Sequence, residues 1–137
     1  MSGGRPIMKE KLLQEAIQIR ARAYVPYSEF PVGAALLTGS GKIYTGCNIE
    51  NAAYPSTCCA ERVAIFKAIS DGETEFTEMA VAADTKRPVP PCGTCRQVMS
   101  EFFAPDMPIH LTNLNKDVQT LTTDQLLPFS FQKEDME

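Results

Sequence analysis

The sequence predicts an α/β fold of three layers, in which a mixed, five-stranded sheet lies between flanking helices. The chain opens with an amphipathic helical pattern and continues with two apolar strands joined by a glycine-containing turn. After this hairpin, segments with the pattern of strands alternate with segments with the pattern of helices, as is typical of α/β proteins. The length of 137 residues suits one domain, and we expect a single domain over residues 8–137.

The first half of the chain predicts one helix and one β-hairpin. The helical spacing of apolar residues stops near Val25, because the residue before a proline avoids the helical region. Gly33 and Gly46 lie inside the two strands, where glycine favours the close approach of a second backbone. The predicted segments are a flexible N-terminus at 1–7, a helix at 8–24, a strand at 30–37, a turn at 38–42 and a strand at 43–47.

The second half of the chain predicts helices that alternate with short strands. Ser56 or Thr57 can cap the first of these helices, and Thr123 can cap a brief helical turn that ends at Pro128. The predicted segments are helices at 58–70 and 92–103 and strands at 77–83, 107–111 and 118–121. The side chains expected to face the core are Val63, Phe66 and Ile69 in the first helix and Val98, Met99 and Phe102 in the second.

Charge and cysteine content limit the classes of function. The formal net charge is −4 and there is no cluster of lysine or arginine, which argues against a polynucleotide partner, because binding to a phosphate backbone needs clustered positive charge. No segment resembles a secretory signal or a membrane span. The five cysteines are odd in number and include close pairs, which in a cytoplasmic protein favours metal binding over disulfides. We therefore expect a cytoplasmic protein that binds a small, weakly charged ligand.

Cys59, Cys92 and Cys95 have the spacing of a zinc site with one open position. Cys92 and Cys95 share a face at a predicted helix start, although such a pair alone also fits a redox site or half of a structural zinc site. Cys59 and Glu61 are two residues apart and point away from each other on a helix, but both can reach an ion near its N-terminal end. The ion should therefore lie between the starts of two helices, whose partial positive charge offsets part of the thiolate charge.

Neighbouring residues leave alternatives for this site. Cys58 competes with Cys59 as the third ligand, and the Cys-x-Glu spacing favours Cys59. Arg62 can donate hydrogen bonds to thiolate sulfur and so restore the acidity of the zinc, or it can lie on a solvated face. The single histidine, His110, is expected in the core or at an edge of the sheet, which leaves the fourth position open. Cys47 and Cys58 are expected to pack as small apolar residues.

Several motifs in register resemble the cytidine deaminase family, in particular its short, homotetrameric members. The most specific are Cys59-Ala60-Glu61-Arg62 and the segment that begins Pro91-Cys92-Gly93-Thr94-Cys95, since a Cys/His-x-Glu followed by Pro-Cys-x-x-Cys is the signature of zinc deaminases. The resemblance extends over nearly the whole chain. The matching segments are 23–28, 30–36, 46–54, 59–62, 91–98 and 126–128, with Phe131.

The resemblance implies an activity and a role for each matching residue. The activity is hydrolytic deamination of cytidine and 2′-deoxycytidine to uridine and 2′-deoxyuridine in pyrimidine salvage, by a homotetramer with a zinc ion in each subunit. Glu61 would carry protons between water and the base. The other implied roles are zinc ligation by Cys59, Cys92 and Cys95, ribose binding by Asn48 and Glu50, stacking near the base by Phe30, reading of the base carbonyl by the Ala60 backbone N–H, and an aromatic donated to the neighbouring subunit by Phe131.

Two other functions fit part of the sequence. A deaminase of a modified cytosine nucleoside would use the same chemistry, although the pair Asn48 and Glu50 favours ordinary nucleosides. A structural zinc module for protein binding would need a fourth protein ligand on the metal. The sequence departs from the family pattern at the vicinal Cys58, at 55–57 and at Phe129, which bear on substrate preference and packing rather than on the chemistry.

Overall fold

A five-stranded mixed sheet forms the centre of the computed structural model, which describes residues 5–136. The α-helices are α1 (Arg5–Ile19), α2 (Ala60–Ser70), α3 (Gly93–Phe102) and the short α4 (Thr123–Leu126). The strands are β1 (Val32–Thr38), β2 (Ile43–Cys47), β3 (Phe76–Ala83), β4 (Pro108–Thr112) and β5 (Val118–Thr122). Short 3₁₀ turns at Arg20–Arg22, Tyr54–Ser56 and Lys133–Met136 complete the secondary structure.

The sheet has the order β2-β1-β3-β4-β5. Strand β1 is antiparallel to both β2 and β3, β3 is parallel to β4, and β4 is antiparallel to β5. The parallel pair is joined by a crossover that contains α3, as parallel strands require. This mixed sheet with helices against it confirms the predicted fold class.

Helices cover both faces of the sheet and bury two apolar clusters. On one face, α2 and α3 pack against the sheet, with Ile65, Met99 and Met79 completely buried. On the other face, Leu12 and Ala16 of α1 pack against alternate residues of β1 and β3. Complete burial of each large apolar side chain adds roughly 1.5–3 kcal/mol to stability, so these clusters hold the helix starts in place.

Two glycines allow the close packing that the sequence predicts. A Cβ atom at Gly33 would lie 1.9 Å from the carbonyl oxygen of Ala16 in α1. A Cβ atom at Gly46 would lie 2.5 Å from the carbonyl oxygen of Ala60 and from the amide nitrogen of Ala64, both in α2. Gly46 therefore lets β2 lie directly against the first turn of α2, which carries Glu61.

The buried face of α2 differs in part from the prediction. Its buried residues are Ala60, Glu61, Ala64, Ile65 and Ala68, whereas Phe66 is 45% exposed. The small alanines bring the helix close to the sheet, and the Phe66 ring lies outside this contact, while Ile69 is partly buried against the core as predicted. The predicted cap is also wrong, because Cys59 occupies the N-cap position and Thr57 instead accepts a hydrogen bond from the backbone N–H of Asn51.

Other element ends shift by a few residues. Helix α1 begins at Arg5, three residues before the predicted start, and a 3₁₀ turn replaces its predicted last turn. In α3, Phe102 is 41% exposed and Phe103 is buried in its place, while Thr122, not Thr123, caps α4 in a capping box with Gln125. The predicted flexibility of residues 1–4 lies outside the described residues. Within 5–136, no helix has the length and apolar character needed to cross a membrane.

Candidate metal centre

The thiols of Cys59, Cys92 and Cys95 lie together, with their sulfur atoms within 4.8 Å of one another. The sulfur of Cys92 is 3.6 Å from that of Cys59 and 3.4 Å from that of Cys95. Tetrahedral zinc with Zn–S bonds of about 2.3 Å separates its sulfur ligands by about 3.8 Å. The spacing and the donor type therefore fit zinc, and no fourth histidine, cysteine or carboxylate from residues 5–136 joins the group.

Two helix starts hold this thiol cluster. Cys59 is the N-cap residue of α2 and Cys92 is the N-cap residue of α3, with Cys95 in the first turn of α3. Arg96 holds the segment that precedes α3. Its Nε donates to the Pro91 carbonyl at 2.8 Å, and its Nη1 donates to the Leu126 carbonyl at 2.9 Å. The N–H groups of both first turns face the end of the helix where the thiols meet, and their partial positive charge favours thiolate.

Arg62 contributes positive charge to the cluster. Its Nη2 donates to the sulfur of Cys59 at 3.5 Å. Hydrogen bonds from Cys95 and then Arg62 lower the pKa of the Cys59 thiol, although burial opposes them. The same interaction with Cys59 raises the pKa of the Cys95 thiol, and burial raises it further. The sulfur contact also raises the pKa of Arg62, which keeps its charge.

Glu61 is a buried acid with one carboxylate oxygen that has no partner among the described residues. It lies in the first turn of α2 with only 4% of its surface exposed, and its Oε1 accepts no hydrogen bond from the residues described. Burial, and after it the charge of Cys59, raises the pKa of this carboxyl to about 7. A carboxyl group whose pKa lies near neutrality can take up and release a proton at physiological pH.

A short ladder of backbone hydrogen bonds connects the metal segment to residues 48–50. Ile49 and Cys58 exchange two N–H···O bonds of 2.9 Å. On its other side this strip pairs with Tyr24, whose N–H donates to the Asn48 carbonyl and whose carbonyl accepts from the Glu50 N–H. This ladder places residues 48–50 beside Cys58, which precedes the predicted zinc ligand Cys59.

The side chains of Asn48 and Glu50 both bind the loop before β1. Asn48 donates from Nδ2 to the Phe30 carbonyl and accepts the Val32 N–H at Oδ1, each at 2.9 Å. The Oε1 atom of Glu50 accepts the N–H groups of Tyr27 and Ser28 at 3.1 Å, and its Oε2 accepts the Ser28 hydroxyl. The structure thus brings the two predicted ribose ligands together with the segment that carries the predicted stacking residue, Phe30.

The remaining predicted residues lie in different surroundings. Ala60 is buried at the first position of α2, where its N–H has no carbonyl partner in the preceding turn of helix. Phe131 is 59% exposed, and its carbonyl accepts from Gln97 of α3 at 3.0 Å. His110 is a core histidine, 4% exposed and bonded at 2.8 Å to both Glu78 and Thr120. Cys47 is buried and Cys58 is half-buried, as expected for packing residues.

Ser28 is a site residue that sequence reasoning missed. Its hydroxyl donates to Glu50 and accepts the N–H of Phe30 at 3.1 Å, so it contacts both predicted nucleoside ligands. A serine two residues before the N–H that it binds is the pattern of a Ser/Thr turn, which is a local signal for the second contact. The contact with Glu50 spans 22 residues and has no local signal.

The chain matches a protein family over most of its length. Residues 7–111 match the family described as the cytidine and deoxycytidylate deaminase zinc-binding region. A cytidine deaminase of Sporosarcina psychrophila is 58% identical over 127 residues, which are 93% of each chain. A cytidine deaminase of Halalkalibacterium halodurans is 56% identical over 128 residues, covering 93% of this chain and 97% of its own.

Solved structures agree with these sequence relatives. The crystal structure of cytidine deaminase from Burkholderia pseudomallei superposes with a TM-score of 0.87 at 46% identity, covering 89% of this chain and 98% of the other. That of cytidine deaminase from Mycobacterium tuberculosis superposes with a TM-score of 0.77 at 36% identity, covering 89% and 95%. Fold and sequence therefore indicate the same relationship.

Proposed function

The chain belongs to the zinc-binding cytidine and deoxycytidylate deaminase family, and we propose that it hydrolyses cytidine and 2′-deoxycytidine to uridine and 2′-deoxyuridine with release of ammonia. One observation carries the chemistry: three thiols within 4.8 Å of one another lie beside a buried glutamate whose Oε1 has no partner among the described residues. In a structural zinc module, by contrast, a fourth protein ligand closes the metal and no free carboxylate is needed.

Glu61 moves the protons of the reaction. Cys59, Cys92 and Cys95 would hold the zinc ion, which would supply a Lewis acid that makes water acidic enough to react near neutral pH. Oε1 of Glu61 takes a proton from the attacking water and delivers it to N3 of the base, which makes C4 electrophilic. Once the water oxygen is bonded to C4, Glu61 takes the remaining proton from that hydroxyl and delivers it to the amino group, so the C4–N bond breaks, ammonia leaves and a carbonyl forms at C4. The raised pKa of this carboxyl suits both steps, because a proton carrier works best with a pKa near the working pH.

Arg62 and the helix starts balance the charge of the zinc centre. Three thiolates and Zn²⁺ carry a net charge of −1, which weakens the metal as a Lewis acid. The hydrogen bond from Arg62 to the sulfur of Cys59 withdraws part of that charge, as do the N–H groups at the starts of α2 and α3. We assign Arg62 this tuning role.

The nucleoside is held by residues of the loop before β1 and of the strip 48–50. Asn48 and Glu50 keep unused hydrogen-bonding capacity after their contacts with that loop, which suits them to bind sugar hydroxyls. Phe30, 39% exposed and fixed through its backbone by Asn48, can stack near the base. The N–H of Ala60 can read the base carbonyl, since the start of α2 leaves it available.

The assembly that we propose is a homotetramer in the cytoplasm that serves pyrimidine salvage. Phe131 and Phe129, 59% and 104% exposed, form an apolar surface near the C-terminus that suits donation of the Phe131 ring to a neighbouring subunit. A zinc site of three thiols and free cysteines elsewhere suit a reducing compartment.

The direct test is product analysis. Incubation of the purified protein with cytidine, 2′-deoxycytidine and a base-modified cytosine nucleoside should release ammonia and the matching uracil nucleosides from the first two at comparable rates. Faster turnover of the modified nucleoside by tenfold or more would favour that class as the substrate. If the zinc-loaded protein released no ammonia from any of the three nucleosides, the proposal that it is a deaminase would be contradicted.

A further inference from the structure

One hydroxyl group, that of Ser28, connects the two halves of the nucleoside site. Its Oγ donates to Oε2 of Glu50, the proposed sugar ligand, and accepts the N–H of Phe30, the proposed stacking residue, at 3.1 Å. The N–H of Ser28 also donates to Oε1 of Glu50 at 3.1 Å. Ser28 therefore touches both oxygens of the carboxylate and the backbone of the aromatic residue.

These contacts decide what Glu50 can still bind. Its Oε1 already accepts two N–H groups, from Tyr27 and Ser28, and its Oε2 accepts one hydroxyl. A carboxylate has about four acceptor positions, so about one remains, on Oε2. The Ser28 hydroxyl is also the largest of the influences that lower the pKa of Glu50, which keeps the carboxylate ionised. The orientation of the free acceptor position thus depends on Ser28.

The turn that contains Ser28 is strained and needs support. Glu29 has a φ of 56°, in the left-handed region that residues other than glycine rarely adopt. The Ser28 hydroxyl accepts the N–H of Phe30 and so connects the residues on either side of Glu29. Loss of the hydroxyl would free both the Glu50 carboxylate and the position of Phe30.

We propose that Ser28 is a positioning residue that acts through Glu50: it directs the free acceptor position of that carboxylate to a hydroxyl of the sugar and holds Phe30 in register with it. The proposal rests on the proposed function, because it assigns Glu50 to the sugar. Its consequence is specific. The effect of Ser28 should depend on whether the substrate has sugar hydroxyls for Glu50 to bind.

The test compares two substrates in matched variants. Ser28→Ala should raise KM for cytidine about ten- to hundredfold with a smaller change in kcat, the scale of a hydrogen bond to a charged group. The same variant should lose less than about threefold in kcat/KM on 2′,3′-dideoxycytidine, which lacks the 2′ and 3′ hydroxyls, because only the position of Phe30 is then affected and Asn48 still holds the Phe30 carbonyl. Ser40→Ala is the matched control, since Ser40 also donates to a carboxylate, that of Glu73 at 2.8 Å, but in the turn between β1 and β2. It should leave both substrates unchanged.

A second pair of variants keeps the test decisive if Ser28→Ala does not fold. Ser28→Thr retains the hydroxyl, and Ser28→Val has the shape of threonine with a methyl group in place of that hydroxyl. The threonine variant should remain within about threefold of the wild type on cytidine, and the valine variant should show the loss expected for alanine.

Equal losses on both substrates would overturn the proposal, because Ser28 would then support the loop without acting through Glu50. The proposal would also be overturned if Ser28→Ala were as active as the wild type. The same holds if a folded Ser28→Thr variant were as impaired as Ser28→Val. Each of these results leaves the proposed function intact. A wild type that releases no ammonia from cytidine would instead overturn the proposed function and this proposal with it.

Discussion

Two buried glutamates differ in what surrounds them. Glu78 in β3 is 5% exposed and its Oε1 lies 2.8 Å from Nε2 of His110, on the face of the sheet that α1 covers. Glu61 in α2 is 4% exposed on the opposite face, and its Oε1 has no partner in the described part of the chain.

Two equally buried glutamates can therefore have different roles. A buried carboxylate with a hydrogen-bonded partner is compatible with a structural role, whereas one without a partner costs stability. Such a cost is typical of sites where the group is needed for chemistry. The two glutamates can be compared by making the same substitution at each.

The largest effect is expected from Glu61→Gln. Glutamine fills the same space but cannot carry a proton, so kcat on cytidine should fall about a thousandfold or more. Zinc content should stay at the wild-type value and thermal stability should not fall, because glutamine removes a buried carboxylate whose Oε1 has no partner among the described residues. Steady-state kinetics beside zinc analysis and a melting curve check this. Substantial remaining activity would contradict the role of Glu61.

Glu78→Gln should have the opposite profile. The charged hydrogen bond to His110 becomes a neutral one, which should lower the free energy of unfolding by about 1–2 kcal/mol. The kcat and KM for cytidine should remain within about twofold of the wild type. Urea denaturation and kinetics on the same preparation measure both. A loss of turnover comparable to that of Glu61→Gln would remove the distinction between the two acids.

A smaller effect is expected from pH. Burial lowers the pKa of His110, and its contact with Glu78 offsets only part of that shift. The unfolded chain therefore binds a proton at His110 more readily than the folded chain, so this contribution to stability is present above about pH 6.5 and is lost as pH falls toward the lower folded pKa. The slope is at most about 1.4 kcal/mol per pH unit. Unfolding of the wild type and of His110→Gln between pH 7.5 and about 5 should converge toward acid; parallel curves would contradict this.

The sequence was sufficient for features that depend on local spacing. Strand β2 at Ile43–Cys47 has the predicted bounds, and the Cys92–Cys95 spacing at a helix start is a local signal. The buried face of α2 was predicted only in part, because the close approach of its alanines to β2 depends on Gly46, which is distant in sequence. The contacts of Ser28 with Glu50 were not predictable for a similar reason, since the pairing of residues 48–50 with Tyr24 brings the two segments together.

The central claim is that zinc on three thiols, served by Glu61, deaminates cytidine. It is tested most directly by measuring zinc per chain beside ammonia release, while a chelator removes the metal and added Zn²⁺ restores it. Activity should fall and recover in proportion to zinc, to a maximum near one zinc per chain, and Glu61→Gln should take up the same zinc without turnover. Two results would contradict this account. One is ammonia release that persists after complete removal of zinc, and the other is a fully zinc-loaded wild type that releases no ammonia from cytidine.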